Sequence, residues 1–146
     1  MKLHDISLTI SEDMAVYRDK EEKKPKIEIT RTLKDGSNES KIYIESHTGT
    51  HADAPYHMLQ KGKKIDSLNL SSFIGECIVL DLTNAKGSIK KQDLQKYEDK
   101  IKKGDIVLLK TKNKPENKFN FEFVYLEKSG ADFLSAKKIK LVGIDN

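Results

Sequence analysis

The chain has 146 residues, 27 basic against 23 acidic side chains, a net charge of +4 and 36% hydrophobic residues. That is enough for one soluble domain with a core, and it leaves no apolar run long enough to span a bilayer and no apolar leader at the N-terminus. One cysteine excludes an internal disulfide, and two arginines among interleaved lysines and acids argue against nucleic-acid binding, which favours arginine forks and aromatic platforms.

Residues 3–10 read as a first strand, stopped by Ser11, Glu12 and Asp13. His4 lies on it beside Asp5, where a structural role is expected. Residues 26–33 alternate apolar and polar side chains, with Ile27 and Ile29 on one face of a half-buried strand. Lys34, Asp35, Gly36 and Ser37 form a hairpin turn, because Asp-Gly supplies the positive φ that such turns need. Residues 40–46 are the return strand, and they deliver the chain to His47.

The next eleven residues read His-Thr-Gly-Thr-His-Ala-Asp-Ala-Pro-Tyr-His, from His47 to His57, and hold three of the four histidines. Neutral imidazoles and a carboxylate are the usual ligands of zinc and manganese. Four-residue spacing would align His47 and His51 on a helix, but Gly49, Thr50 and Pro55 are poor helix formers. A tight loop is expected instead, with Gly49 taking an unusual backbone angle. His51 and Asp53, two apart, would point the same way from extended chain. Pro55 would stiffen the exit and aim His57. Glu45 and Asp66 are available as partners that orient ligand imidazoles.

Residues 75–82 form a continuous apolar strand, expected to be covered on both faces, with Cys77 a buried inert thiol. Ser88 is the expected N-cap of a helix running to Gly104, with Leu94, Tyr97 and Ile101 on its inner face. Residues 105–111 are another strand, and the polar stretch 112–118 with Pro115 is a loop. A helix over 131–137 precedes a strand over 140–144. The second half therefore reads β-α-β-α-β, which favours parallel pairing, and the first half reads as antiparallel hairpins. The fold class is α/β, a mixed and curved or barrel-like sheet with flanking helices.

The window resembles the H-x-G-T-H-x-D-x-P-x-H signature of the cyclase family of metal-dependent hydrolases, which includes bacterial kynurenine formamidase and isatin hydrolase. All seven fixed positions match: His47, Gly49, Thr50, His51, Asp53, Pro55 and His57. The likeness extends to Asp5-Ile6-Ser7 and Met14-Ala-Val-Tyr17 near the start, and to Tyr125-Leu126 and Leu141-Val-Gly-Ile-Asp145 near the end. It implies a swivelling β/β/α fold in a single domain over residues 1–146. It implies His47, His51 and Asp53 as metal ligands, Asp53 able to bridge two metals, and His57 as the acid/base catalyst.

A divalent metal is expected, zinc first and manganese second, and a histidine-carboxylate set also accepts iron. A metal lowers the pKa of bound water toward neutrality, which suits attack on an amide or formyl carbonyl. The implied activity is hydrolysis of a C–N bond in a small amide. N-formylkynurenine, a compound of tryptophan catabolism, is the leading substrate. A lactam such as isatin is the alternative, and a metal-binding, non-catalytic homologue is a further one. The resemblance also implies a homo-oligomer, dimer or tetramer, and a cytoplasmic location with no nucleic-acid or membrane partner. Two departures stand out. The family's opening turn, Val-Tyr/Trp-Pro-Gly-Asp, is here Val16-Tyr17-Arg18-Asp19-Lys20. Relatives also draw a further histidine and a glutamate from a C-terminal segment, so the domain is expected to be incomplete at its C-terminus.

Overall fold

The apolar runs of the second half become parallel strands in the computed structural model of the chain, which describes residues 2–114 and 118–145. Strands β3 (Cys77–Asp81), β5 (Ile106–Lys110) and β7 (Leu141–Ile144) form one sheet in the order β3-β5-β7. Val79 pairs with Leu108, and Leu108 with Gly143. Helices α1 (Lys91–Gln95) and α2 (Lys128–Ala136) connect them. Between these lies a small parallel pair, β4 (Ser88–Ile89) with β6 (Tyr125–Leu126). The expected β-α-β-α-β order and parallel pairing are present, and the fold is mixed α/β.

Strand side chains alternate, so the register sorts the sheet into two faces. One carries Leu80, Val107 and Leu109, which pack with Leu94 of α1 and Phe133 and Leu134 of α2 in a single buried cluster. Each such side chain contributes about 1.5–3 kcal/mol on leaving water. The other face carries Cys77, Val79 and Asp81 and points away from the helices. Val79 is 61% exposed there, and Cys77 is exposed as well. Two expectations are therefore corrected: β3 is covered on one face, and Cys77 is not buried, because both helical crossovers lie on the same side of the sheet.

The α1 region also differs from its expected form. Leu94, Tyr97 and Ile101 do turn inward at helical spacing, but the α-helix stops at Gln95. Beyond it, Tyr97 donates to Leu94 O and Lys100 to Tyr97 O, the tighter three-residue pattern. The Tyr97 hydroxyl donates to the Asp81 carbonyl at 2.6 Å, tying this turn to the sheet. Ser88 is not the cap, because it belongs to β4. Lys90 takes that place, its N–H donating to Asp93 Oδ2 at 2.9 Å. Pro115, in the polar loop expected over 112–118, lies outside the described residues.

In the first half, β1 (Lys26–Arg31) and β2 (Glu39–Tyr43) make the expected antiparallel hairpin, with Ile27 opposite Ile42. The turn passes through Gly36, after Asp35 has accepted from the Thr32 N–H at 3.0 Å. Neither face of the hairpin is buried. The strand expected over residues 3–10 does not form: among the described residues no strand pairs with it, and an unpaired extended segment has no ladder to hold it. His4 is exposed on that segment.

The total accessible surface is 11508 Å². A compact monomer of this mass would expose about 7,600 Å², and its unfolded chain about 24,000 Å². No helix of the described residues is long and apolar enough to cross a membrane.

Leu109 and Val79 test the one-sided core. Leu109→Ala should lower unfolding free energy by about 2–5 kcal/mol, while Val79→Ser should stay within about 0.5 kcal/mol, as exposed substitutions do. Urea denaturation reads both, and equal losses would mean that both faces are covered. Glu127 gives a pH test. It caps α2, accepting from the Ser129 hydroxyl at 2.6 Å and from the Ser129 N–H. These bonds, the hydroxyl's first, hold its carboxyl below the ordinary value of 4.5. A depressed folded pKa gives stability that is present above the unfolded value and lost as pH falls through the folded one. The drop in urea midpoint between neutral and acid pH should therefore be smaller in Glu127→Gln than in wild type. An unchanged drop would remove Glu127 from the acid response.

Candidate metal centre

After Tyr43 the chain leaves β2 and reverses through a turn closed by the Thr48 N–H donating to the Glu45 carbonyl at 3.2 Å. No helix forms across His47 to His51, in line with Gly49 and Thr50 being poor helix formers. Thr48 is buried at the root of this loop, while His47, His51 and Asp53 face outward. Gly49 sits at φ +62°, in the left-handed region that glycine enters without strain. A β-carbon there would meet Ile10 Cδ1 at 2.5 Å.

The loop brings three donors together. His47 Nδ1 lies 2.9 Å from Asp53 Oδ1 and 3.2 Å from His51 Nε2, and His51 Nε2 lies 3.7 Å from Asp53 Oδ1. Bonds of about 2.0–2.2 Å in a tetrahedral shell would hold such atoms roughly 3.3–3.5 Å apart. The triangle thus already has nearly the span that a zinc-sized ion needs. His51 Nδ1 lies 2.7 Å from the Gly49 carbonyl. A carbonyl only accepts, so Nδ1 carries the proton and Nε2 keeps the lone pair that faces the other two donors. Two imidazoles and one carboxylate are a borderline N/O set, suited to zinc or manganese. The residues present fit a divalent metal.

Pro55 opens a 3-10 turn, Pro55–His57, at the position where proline's missing N–H costs nothing. The turn folds back through Leu59 and Gly62. The Tyr56 N–H donates to the Lys63 carbonyl at 3.1 Å, and the Pro55 backbone occupies the space where a Gly62 β-carbon would sit, 2.5 Å away. This turn sets His57 beside the donors without adding it to them. The His57 and His47 rings have centroids 4.1 Å apart at 49°, and the metal-capable group comprises His47, His51 and Asp53.

The other candidates stand apart. Glu45 Oε2 pairs with Lys23 Nζ at 2.6 Å. Asp66 lies on the 3-10 turn Ile65–Ser67, and among the described residues it bonds to no histidine ring. Two partners escaped the sequence reading, the Gly49 carbonyl on His51 and the Leu8 N–H that donates to Thr50 Oγ1 at 2.9 Å. The first was hinted at by the glycine two residues before His51. The second joins positions 42 apart and leaves no local signal. The altered opening turn holds two left-handed residues, Arg18 at φ 59° and Asp19 at φ 51°. Asp19 Oδ1 accepts from the Phe119 N–H at 2.7 Å, and Tyr17 meets the Phe119 ring edge-on at 5.1 Å.

Fold and donor loop together define a mixed α/β protein with a metal-capable His-His-Asp loop, and the comparisons give that class its family. The cyclase family profile, described as "Putative cyclase", matches residues 4–146, and the chain belongs to this family. Among curated relatives, the kynurenine formamidase of Bacillus thuringiensis (strain Al Hakam) is 30% identical over 142 residues, 97% of this chain. That of Erythrobacter litoralis (strain HTCC2594) is 31% identical over 121 residues, 81% of this chain and 54% of the relative. A solved structure of a potential metal-dependent hydrolase with cyclase activity superposes with a TM-score of 0.85 at 40% identity, covering 99% of this chain and 67% of its own. A predicted metal-dependent hydrolase from Bacillus stearothermophilus gives 0.83 at 40% identity, with 99% and 68% covered. The chain spans 66% of the length of the Bacillus thuringiensis relative.

Removing one donor tests the centre. His51→Ala should bind zinc at least about tenfold more weakly than wild type, since even outer partners of metal ligands are worth about 10–100-fold. Titration against a chromogenic chelator measures it. Unchanged affinity would take His51 out of the ligand set.

Proposed function

We propose that this chain carries the metal-binding and proton-transfer residues of a hydrolase that cleaves the C–N bond of a small amide, with N-formylkynurenine as the substrate. The observation that carries this reading is the donor triangle, whose sides of 2.9, 3.2 and 3.7 Å lie beside a third imidazole that is not part of it. The names of the curated relatives support the arylformamide substrate.

His47, His51 and Asp53 would hold the metal, zinc first and manganese second. When bound, it supplies an acidified water and a Lewis acid for the carbonyl oxygen. The chain's own work is positioning and proton transfer. His57 Nδ1 or Nε2 takes a proton from the attacking water as the new C–O bond forms. It returns that proton to the leaving nitrogen as the C–N bond breaks, so formate and the free amine depart. An imidazole suits both halves because its ordinary pKa lies near neutrality. We further propose that the protein works in the cytoplasm as a homo-oligomer, dimer or tetramer.

Loaded with zinc or manganese, the protein should hydrolyse aryl formamides, releasing formate. If it turns over lactams such as isatin and no formamide, the substrate assignment is wrong. If it binds metal and turns over neither, the non-catalytic reading replaces it. His57→Ala should retain most of its metal and lose about 100- to 10,000-fold in rate, with loss of the bell-shaped pH profile. If it sheds metal as fully as His51→Ala, His57 is a ligand. If it keeps both metal and rate, proton transfer does not pass through it.

A further inference from the structure

The two residues directly before the ligand His51 are both gripped by the same distant piece of chain. Among the described residues, the segment 2–11 makes one hydrogen bond to anything beyond residue 14, the Leu8 N–H to Thr50 Oγ1 at 2.9 Å. Two residues on, Ile10 packs over Gly49 so closely that a β-carbon at Gly49 would come within 2.5 Å of its Cδ1. Gly49 is in turn the residue whose carbonyl accepts from the His51 Nδ1–H at 2.7 Å. The chain of contacts is continuous. The segment seats on Gly49 and Thr50, these fix the direction of the Gly49 carbonyl, and that carbonyl fixes which nitrogen of His51 faces the other donors.

The sequence explains why both grips are needed. At φ +62° the loop is held in a conformation that costs little for glycine but is not preferred over others. Something outside the loop must select it. The Thr50 hydroxyl points to the Leu8 N–H and not to the donor triangle, so its place in the signature is not accounted for by metal ligation. The segment itself lacks a strand partner among the described residues, and Leu3 and Ile6 are exposed. Its seating on the loop is therefore a marginal, reversible interaction, the sort that another binding event can bias.

We propose that the segment around Leu8 and Ile10 is a strap that sets the metal loop, with Thr50 as its positioning residue, so that seating of the strap and binding of a divalent cation strengthen each other. The proposal rests on reading His47, His51 and Asp53 as metal donors. Linkage makes the coupling reciprocal: whatever factor the seated strap adds to cation affinity, the cation adds to strap seating.

The test uses zinc alone as probe on the whole chain. Thr50→Val keeps the size and removes the acceptor, and Thr50→Ser restores the acceptor. Zinc affinity should fall about tenfold in Thr50→Val, in the range for partners that orient ligands, and return to within about twofold in Thr50→Ser. In the wild-type chain, saturating zinc should slow hydrogen exchange of the Leu8 amide by a similar factor, read by NMR without any substitution and without activity. Thermal unfolding of the metal-free proteins controls for folding. If Thr50→Val unfolds, the wild-type exchange measurement decides alone. Zinc binding in wild type with equal affinity in Thr50→Val, or with Leu8 exchange unchanged, overturns the strap and leaves the metal reading standing. Failure of the wild-type chain to bind zinc overturns both.

Discussion

The packing of one sheet face against two short helices is the constraint on which the second half of this chain depends. Leu80, Val107 and Leu109 meet Leu94, Phe133 and Leu134 in one buried cluster. Parallel strands need crossovers, and the crossovers here supply the helices that cover that face. The Tyr97 hydroxyl on the Asp81 carbonyl and the Glu127 cap of α2 are its fastenings.

The metal-capable loop lies outside that cluster and gets its shape from local devices. A glycine takes a left-handed angle, a proline starts a turn, and a backbone carbonyl orients an imidazole. Such devices are short-range, so they can place three donors within 3.7 Å of one another without a deep pocket. They also leave the donors open to solvent. This leaves them accessible to water and to an ion from solution.

Much of this was legible in the sequence, and the reasons differ by region. Alternation in residues 26–33 and 40–46 gave the hairpin, because period two survives even where neither face is buried. The continuous apolar runs gave β3, β5 and β7, because short unbroken apolar stretches between turn signals suit strands of a parallel sheet. Coverage was not legible. A run such as Cys-Ile-Val-Leu looks the same whether one face or both are packed, so Cys77 and Val79 were misplaced. The long helix expected from Ser88 failed because spacing reports which residues turn inward, and three-residue turns satisfy Leu94, Tyr97 and Ile101 as well as an α-helix does. The strand expected over 3–10 failed because a strand is a property of two segments. At the site, residue types and spacing singled out His47, His51 and Asp53, which the loop brings together. Of its outer partners, the Gly49 carbonyl was hinted at only by the glycine itself, and the Leu8 contact is long-range and leaves no local signal.

The extensive surface of the folded chain carries a thermodynamic signature. At 11508 Å² exposed, folding removes only about half of the roughly 24,000 Å² that the unfolded chain would present, where a compact domain of about 150 residues removes about 68–70%. The heat capacity of unfolding follows the apolar area newly wetted, and so does the denaturant dependence. Both are small for a chain of this size. The stability curve is correspondingly flat, so warming or cooling by a few tens of degrees shifts its stability less than it would that of a closed domain. Covering the bare face of β3 would steepen that curve as well as raise it.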